Sequence, residues 1–342
     1  MAGVLQKHIG YLDSLKGFAI ILVVLGHICA GYNAAQIYPS ARYALTVIHN
    51  SIYMFHMPLF MTISGYVFHV AYITNDGEPK RDSISRQILN LLLMYLFFSL
   101  VLCFFKIVAA DYTNSSISCK DILLIPILPI SPYWYLYVLV TFYIVFSIKK
   151  ARLCHVRPAV LLPILAVISV LGNLLGTDFW FSLDRSLYYL FFFALGIVLQ
   201  REEIPLNVFT MSIFCIGVSV LILVFWHDRN INEIPLVNLM VGALFTLIFW
   251  GVFSKIRFFA TNHVLRFVGC HSLEIYVLHC IFTAGNRAML MWLGIRNAFI
   301  STFLNLFVSV AFPILLGFMC KSLGVHELFF KPVSYFCHKA KL

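Results

Sequence analysis

Apolar runs of roughly 17–25 residues recur along this chain, separated by short charged or turn-rich breaks, and each is long enough to cross a bilayer as a helix. Only 11% of the 342 residues are charged, against 61% hydrophobic. A soluble domain carries roughly 25% charged residues, so too little polar surface is available to cover a water-soluble globule. A transmembrane β-barrel would alternate apolar and polar residues in strands of about ten, and that dyad pattern is missing. The sequence predicts an all-α, polytopic transmembrane helical bundle.

Ten spans are expected, at 12–32, 47–73, 87–109, 132–148, 158–175, 186–200, 206–226, 234–253, 267–285 and 298–320. The piece 122–130, with Pro126 and Pro129, is too short to span and reads as re-entrant or interfacial. The first run has no small-residue cleavage site and reads as a retained helix rather than a signal peptide. With the N-terminus in the cytoplasm, 17 of the 24 basic residues fall on the inner side and 6 on the outer, with Lys106 inside a span. The positive-inside rule selects that orientation, with both termini cytoplasmic. The net charge of +10 is therefore topological and does not point to nucleic acid. Residues 1–320 form one membrane-embedded domain, followed by a basic cytoplasmic tail at 321–342. No internal repeat is evident. The nine cysteines show no metal-ligand spacing and read as packing residues.

Ionisable groups inside spans are costly and mark candidate sites. Lys16 and His27 are eleven residues apart on the first span, which puts them on one helical face about 16 Å apart along the axis. Asp13 lies within about 60° of that face. The alternative is that Lys16 snorkels to headgroups and His27 bonds a neighbouring helix. His49 and His56 share a face of the second span, which also carries Ser64, and Pro58 and Gly65 allow a bend there. These histidines are too far apart along the helix to chelate one ion, and no carboxylate lies at ligand spacing, so no metal is expected. Trp134 belongs to an aromatic cluster of the belt type. In the ninth span Ser272, Tyr276 and His279 share a face, whereas Glu274 points roughly opposite from Ser272, as a structural partner for Lys106, a helix-facing hydrogen bonder or a substrate contact.

LDSLKGFAIILVVLGH, FHMPLFMTISGYVF, PYWYLYVL and GCHSLEIYVLH, in that order along the chain, resemble the blocks of the acyltransferase-3 family of integral membrane acyltransferases, especially its fucose-acetylase-like and surface-polysaccharide O-acetyltransferase members. The resemblance implies that His27 matches the essential histidine and Lys16 its basic partner. Many members carry Arg at that partner position; Lys keeps the charge but loses the bidentate fork. It implies an acyl-CoA co-substrate, usually acetyl-CoA, and a sugar hydroxyl of a surface polysaccharide, lipopolysaccharide or lipid-linked glycan as acceptor, in a bacterial inner membrane. Lys16, Arg81 and Arg86 are then the expected donor-binding cations. Neutral His27 is the expected general base, with an acyl-histidine as the competing mechanism. Asp13, His56, Ser64, Trp134, Ser272, Glu274, Tyr276 and His279 are expected around the pocket. A transporter or flippase using the histidines as a proton relay is the competing function.

Overall fold

The computed structural model describes residues 2–74, 76–109, 117–148, 156–174, 180–202 and 234–339. The chain is a multi-pass helical membrane protein. Its helices are α1 (Ala2–Ala35), α2 (Arg42–Tyr53), α3 (His56–Tyr72), α4 (Arg81–Val108), α5 (Cys119–Leu123), α6 (Trp134–Ser147), α7 (Pro158–Leu174) and α8 (Leu183–Arg201). They continue with α9 (Pro235–Lys255), α10 (Arg257–Ala260), α11 (His263–Cys270), α12 (Ser272–Trp292), α13 (Ala298–Ser322), α14 (His326–Phe330) and α15 (Pro332–Lys339). No strand forms among the described residues beyond the isolated Ile73–Pro79 bridge.

The expected count of ten spans is not reached. Among the described residues five helices are long and apolar enough to cross a membrane, and six if the bent pair α11–α12 is one span. Length explains much of the difference. The fourteen residues of α6 rise only about 21 Å, less than a hydrocarbon core of about 30 Å. The expected second span is two helices, because the ring of Pro58 in a continuous helix would clash with the carbonyl of Met54. The chain breaks at Phe55 and restarts, and His56 Nδ1 donates to Ile52 O across the break at 2.8 Å. The ninth span is preceded by a helix bent from it by 79° and runs on to Trp292. The expected span at 206–226 lies outside the described residues.

Close backbone approaches set the packing. A Cβ on Gly17 would stand 1.9 Å from Leu265 O, and one on Gly269 1.7 Å from Asp13 O, so α1 and α11 cross with backbones in contact. Gly65 and Gly196 play the same part between α3 and α8. On α13 the small polar residues Ser301, Asn305 and Ser309 face inward while Phe299, Phe303 and Phe307 are exposed. That is the inside-out pattern of a lipid-facing helix, where small residues permit close packing and polar ones bond across helices. Tyr32 Oη lies 2.8 Å from Ser301 Oγ, and Asn305 Nδ2 donates to Tyr32 Oη at 3.1 Å and to Thr283 O at 3.2 Å. This network ties α1, α12 and α13 together in an apolar medium where unmet polar groups are costly.

Part of the segment expected as a basic cytoplasmic tail, residues 329–333, packs on α4. Phe329 packs on Phe97 and Phe330 on Phe98, and Val333 N donates to Asn90 Oδ1 at 3.0 Å.

Candidate active site

Lys16 sits on the N-terminal half of α1, where that helix meets α10 and α11; Ser14 Oγ donates to Ala260 O at 3.4 Å. The Lys16 ammonium pairs with Asp13 Oδ1 at 2.7 Å, both groups partly exposed. Asp13 is thus the counter-ion of Lys16. Lys16 also lines a cavity of about 210 Å³ together with Ser64, Gln87, Tyr135, Ser272 and Tyr276. Four of the expected site residues therefore meet in one space, brought from α1, α3 and α12. Ser64 Oγ and Tyr135 Oη are 2.6 Å apart, and the Tyr135 and Tyr276 rings are 5.4 Å apart. Tyr276 Oη donates to Pro132 O and Tyr133 Oη to Val277 O at 2.6 Å, which locks α6 against α12.

Three turns along α1, His27 lines a second cavity of about 700 Å³, with Tyr32, Lys106, Cys280, Asn286 and Arg287 among its walls. Its ring lies 5.0 Å from that of His279 and 6.1 Å from that of Tyr53. His279 is fully buried, and its Nδ1 lies 2.8 Å from Tyr276 O and 3.1 Å from Ile275 O. A nitrogen facing two carbonyls must carry the proton, which leaves Nε2 with its lone pair turned toward Cys280 Sγ, 3.4 Å away. The Tyr276 and His279 rings are 6.2 Å apart. Tyr276, which lines the Lys16 cavity, is thus followed at ring distances of 6.2 and 5.0 Å by His279 and by His27, which lines the larger cavity.

The remaining expectations distribute differently. Glu274 does not reach Lys106 and lines neither cavity. Its buried carboxylate lies 3.1 Å from His326 Nε2 and 3.9 Å from Lys321 Nζ, and its stem packs where Gly317 leaves room. It clamps α12 to α13 and α14. His56 is buried at the α2–α3 break and packs on Tyr53, with ring centroids 4.7 Å apart, and lines neither cavity. Trp134 stacks on Tyr189 at 5.3 Å beneath Arg185 and also lines neither. Arg81 and Arg86 are exposed at the start of α4, and Gln87 is the residue of that turn that reaches the Lys16 cavity. Arg287 and Cys280 were not expected at a site. Arg287, assigned by span limits to an outer loop, is buried in α12 and donates to Gly31 O at 3.0 Å. A cysteine beside a histidine in the late block was the available signal for Cys280.

Residues 9–320 match the model of an acyltransferase domain, Acyl_transf_3. The chain belongs to the acyltransferase-3 family. Among curated proteins it is similar to nodulation protein NolL of Sinorhizobium fredii, 50% identical over 56 residues, which are 16% of this chain and 14% of that protein. It is also similar to nodulation protein NolL of Mesorhizobium japonicum, 38% identical over 85 residues, 25% of this chain and 21% of that one. The chain thus spans about one fifth or less of the curated relatives it matches. No solved structure matches.

Proposed function

We propose that this chain moves an acyl group, acetyl in the first instance, from acyl-CoA to a sugar hydroxyl of a surface polysaccharide, lipopolysaccharide or lipid-linked glycan in a bacterial inner membrane. The observation that carries the reading is the Tyr276–His279–His27 series of neighbouring rings, whose two ends line two different cavities. The cavity of about 210 Å³ is too small for a whole nucleotide but suits an extended pantetheine arm. The donor's phosphates stay at the basic end of the bundle near Lys16, with Arg81 and Arg86 as outer attractors. The thioester arrives at Tyr276, and the acceptor occupies the larger cavity at His27. The bacterial origin of both relatives supports the membrane assignment.

In this reading His27 takes the proton of the acceptor hydroxyl as its oxygen bonds to the thioester carbonyl carbon. The carbon–sulfur bond then breaks, CoA leaves as a thiolate, and the imidazolium returns the proton to sulfur. His279 is held by carbonyls in one tautomer and packs its ring 5.0 Å from that of His27, which limits how far the His27 ring can turn.

The test is purified chain with radiolabelled acetyl-CoA and a glycan acceptor. His27→Ala is expected to lower turnover by about 10²–10⁴-fold, the range of a general base, with unchanged membrane insertion. Full activity in that variant overturns the base role. Acceptor movement across a vesicle without thioester loss identifies a transporter instead.

A further inference from the structure

The His27–His279–Cys280 cluster has a property that base catalysis does not use. One ligand-capable atom from each residue lies within 4.8 Å of the others, the one such group among the described residues. We propose that this cluster is a binding site for a soft, tetrahedral d¹⁰ cation of the Zn²⁺ class, and that the ion inhibits the enzyme by occupying the lone pair of His27.

The donor set argues for that class. Two imidazoles and a thiol, with no carboxylate among the three, suit zinc or copper(I) and not magnesium or calcium. At zinc–nitrogen bonds of about 2.0–2.1 Å and zinc–sulfur bonds of about 2.3 Å, tetrahedral ligand atoms stand roughly 3.3–3.7 Å apart. His279 Nε2 and Cys280 Sγ already do, at 3.4 Å. His27 needs an approach of roughly 1 Å, which rotation of its side chain supplies. The orienting contacts of His279 are those of metal-ligating histidines, which commonly donate the second ring nitrogen to a carbonyl. His27 and Cys280 line the larger cavity, which provides an entry path and leaves the fourth position open. On binding, the sulfur–metal bond forms as the thiol proton is released to water, and His27 donates the lone pair it would otherwise offer the acceptor hydroxyl. The binding half of the proposal is independent of the reaction; the inhibitory half rests on the base role proposed above.

The full chain in detergent, stripped with a chelator, is titrated with Co²⁺ and then Zn²⁺. A thiolate-to-cobalt charge-transfer band that Zn²⁺ abolishes is expected, and Cys280→Ala is expected to lose it and to weaken zinc binding by more than the 10–100-fold typical of an outer-sphere change. Zn²⁺ is expected to inhibit acyl transfer, with the inhibition curve of Cys280→Ala shifted upward relative to that variant's own metal-free rate. Absence of the cobalt band in the folded wild-type chain overturns the site. Chelation that abolishes activity, restored by Zn²⁺, overturns the inhibitory role, because His27 would then be a ligand in the working enzyme. A chain that shows the band but transfers no acyl group keeps the site and separates it from the acyltransferase reading.

Discussion

Lys16 and His27 share one face of α1, but each opens into a different cavity, so their variants should fail differently. A charge-assisted contact to phosphate is worth about 1.5–3 kcal/mol. Lys16→Ala is therefore expected to raise the KM for acyl-CoA by about 10–100-fold with a smaller change in kcat, and Lys16→Arg to retain most activity; equal loss in both variants would remove phosphate attraction as the role. Asp13 adds to the effect, since without Lys16 its carboxylate stands unneutralised at the donor entrance. Glu274 behaves as a clamp. Glu274→Gln keeps the shape but loses the charge, and is expected to destabilise the chain by about 1–3 kcal/mol, measured by thermal unfolding in detergent, while the folded fraction stays active. Normal stability with lost activity would instead make Glu274 a substrate contact. The Lys16–His27 pair and the late His279 were legible in the sequence because charges and imidazoles inside apolar runs stand out. Cys280 and Arg287 were not, because one looks like a packing residue and the other lay beyond an estimated span end.

At the scale of elements, the site depends on the crossing of α1 and α11. Gly17 and Gly269 bring the two backbones together beside Asp13 and Lys16, and the sharp bend after Cys270 then carries Ser272 and Tyr276 to the Lys16 cavity. A methyl at Gly17 would strike a backbone carbonyl, which cannot swing aside. Gly17→Ala is expected to cost about 3 kcal/mol or more, the upper range for overpacking, read as a large fall in thermal stability. Gly285→Ala, where a Cβ meets nothing within 4 Å, should be neutral or slightly stabilising. The same scale explains the broken second span. A hydrophobic run of 27 residues, 47–73, reads as continuous, and Pro58 indicated a bend. Pro58 makes the helix stop and restart, but only packing against α1 brings Tyr53 of α2 to within 6.1 Å of the His27 ring.

For the whole molecule, the residues proposed to meet the donor gather at the end of the bundle where α1 begins its apolar run, α4 starts and α13 ends. Basic residues crowd there, including Arg81, Arg86, Lys255, Arg257, Arg266 and Lys321. The positive-inside rule predicts that this end faces the cytoplasm. Reporter fusions after Lys80 and after Ser322 are expected to report the cytoplasm, and fusions after Gln36 and after Ile295 the opposite side; a reversed pattern would place the donor cavity away from the cytoplasmic CoA pool. The sequence by itself determined the membrane class and put Lys16 and His27 on one face of the first helix. Those depend on local composition and the 3.6-residue period, which a single chain segment expresses without its neighbours. The tertiary structure alone decided which polar residues share a space. It joined Lys16 to Ser64 and Tyr276, set His279 and Cys280 against His27, and turned Glu274 into a clamp. Those juxtapositions depend on glycine-mediated backbone contacts and helix breaks between segments far apart in sequence, where no local pattern records the partner.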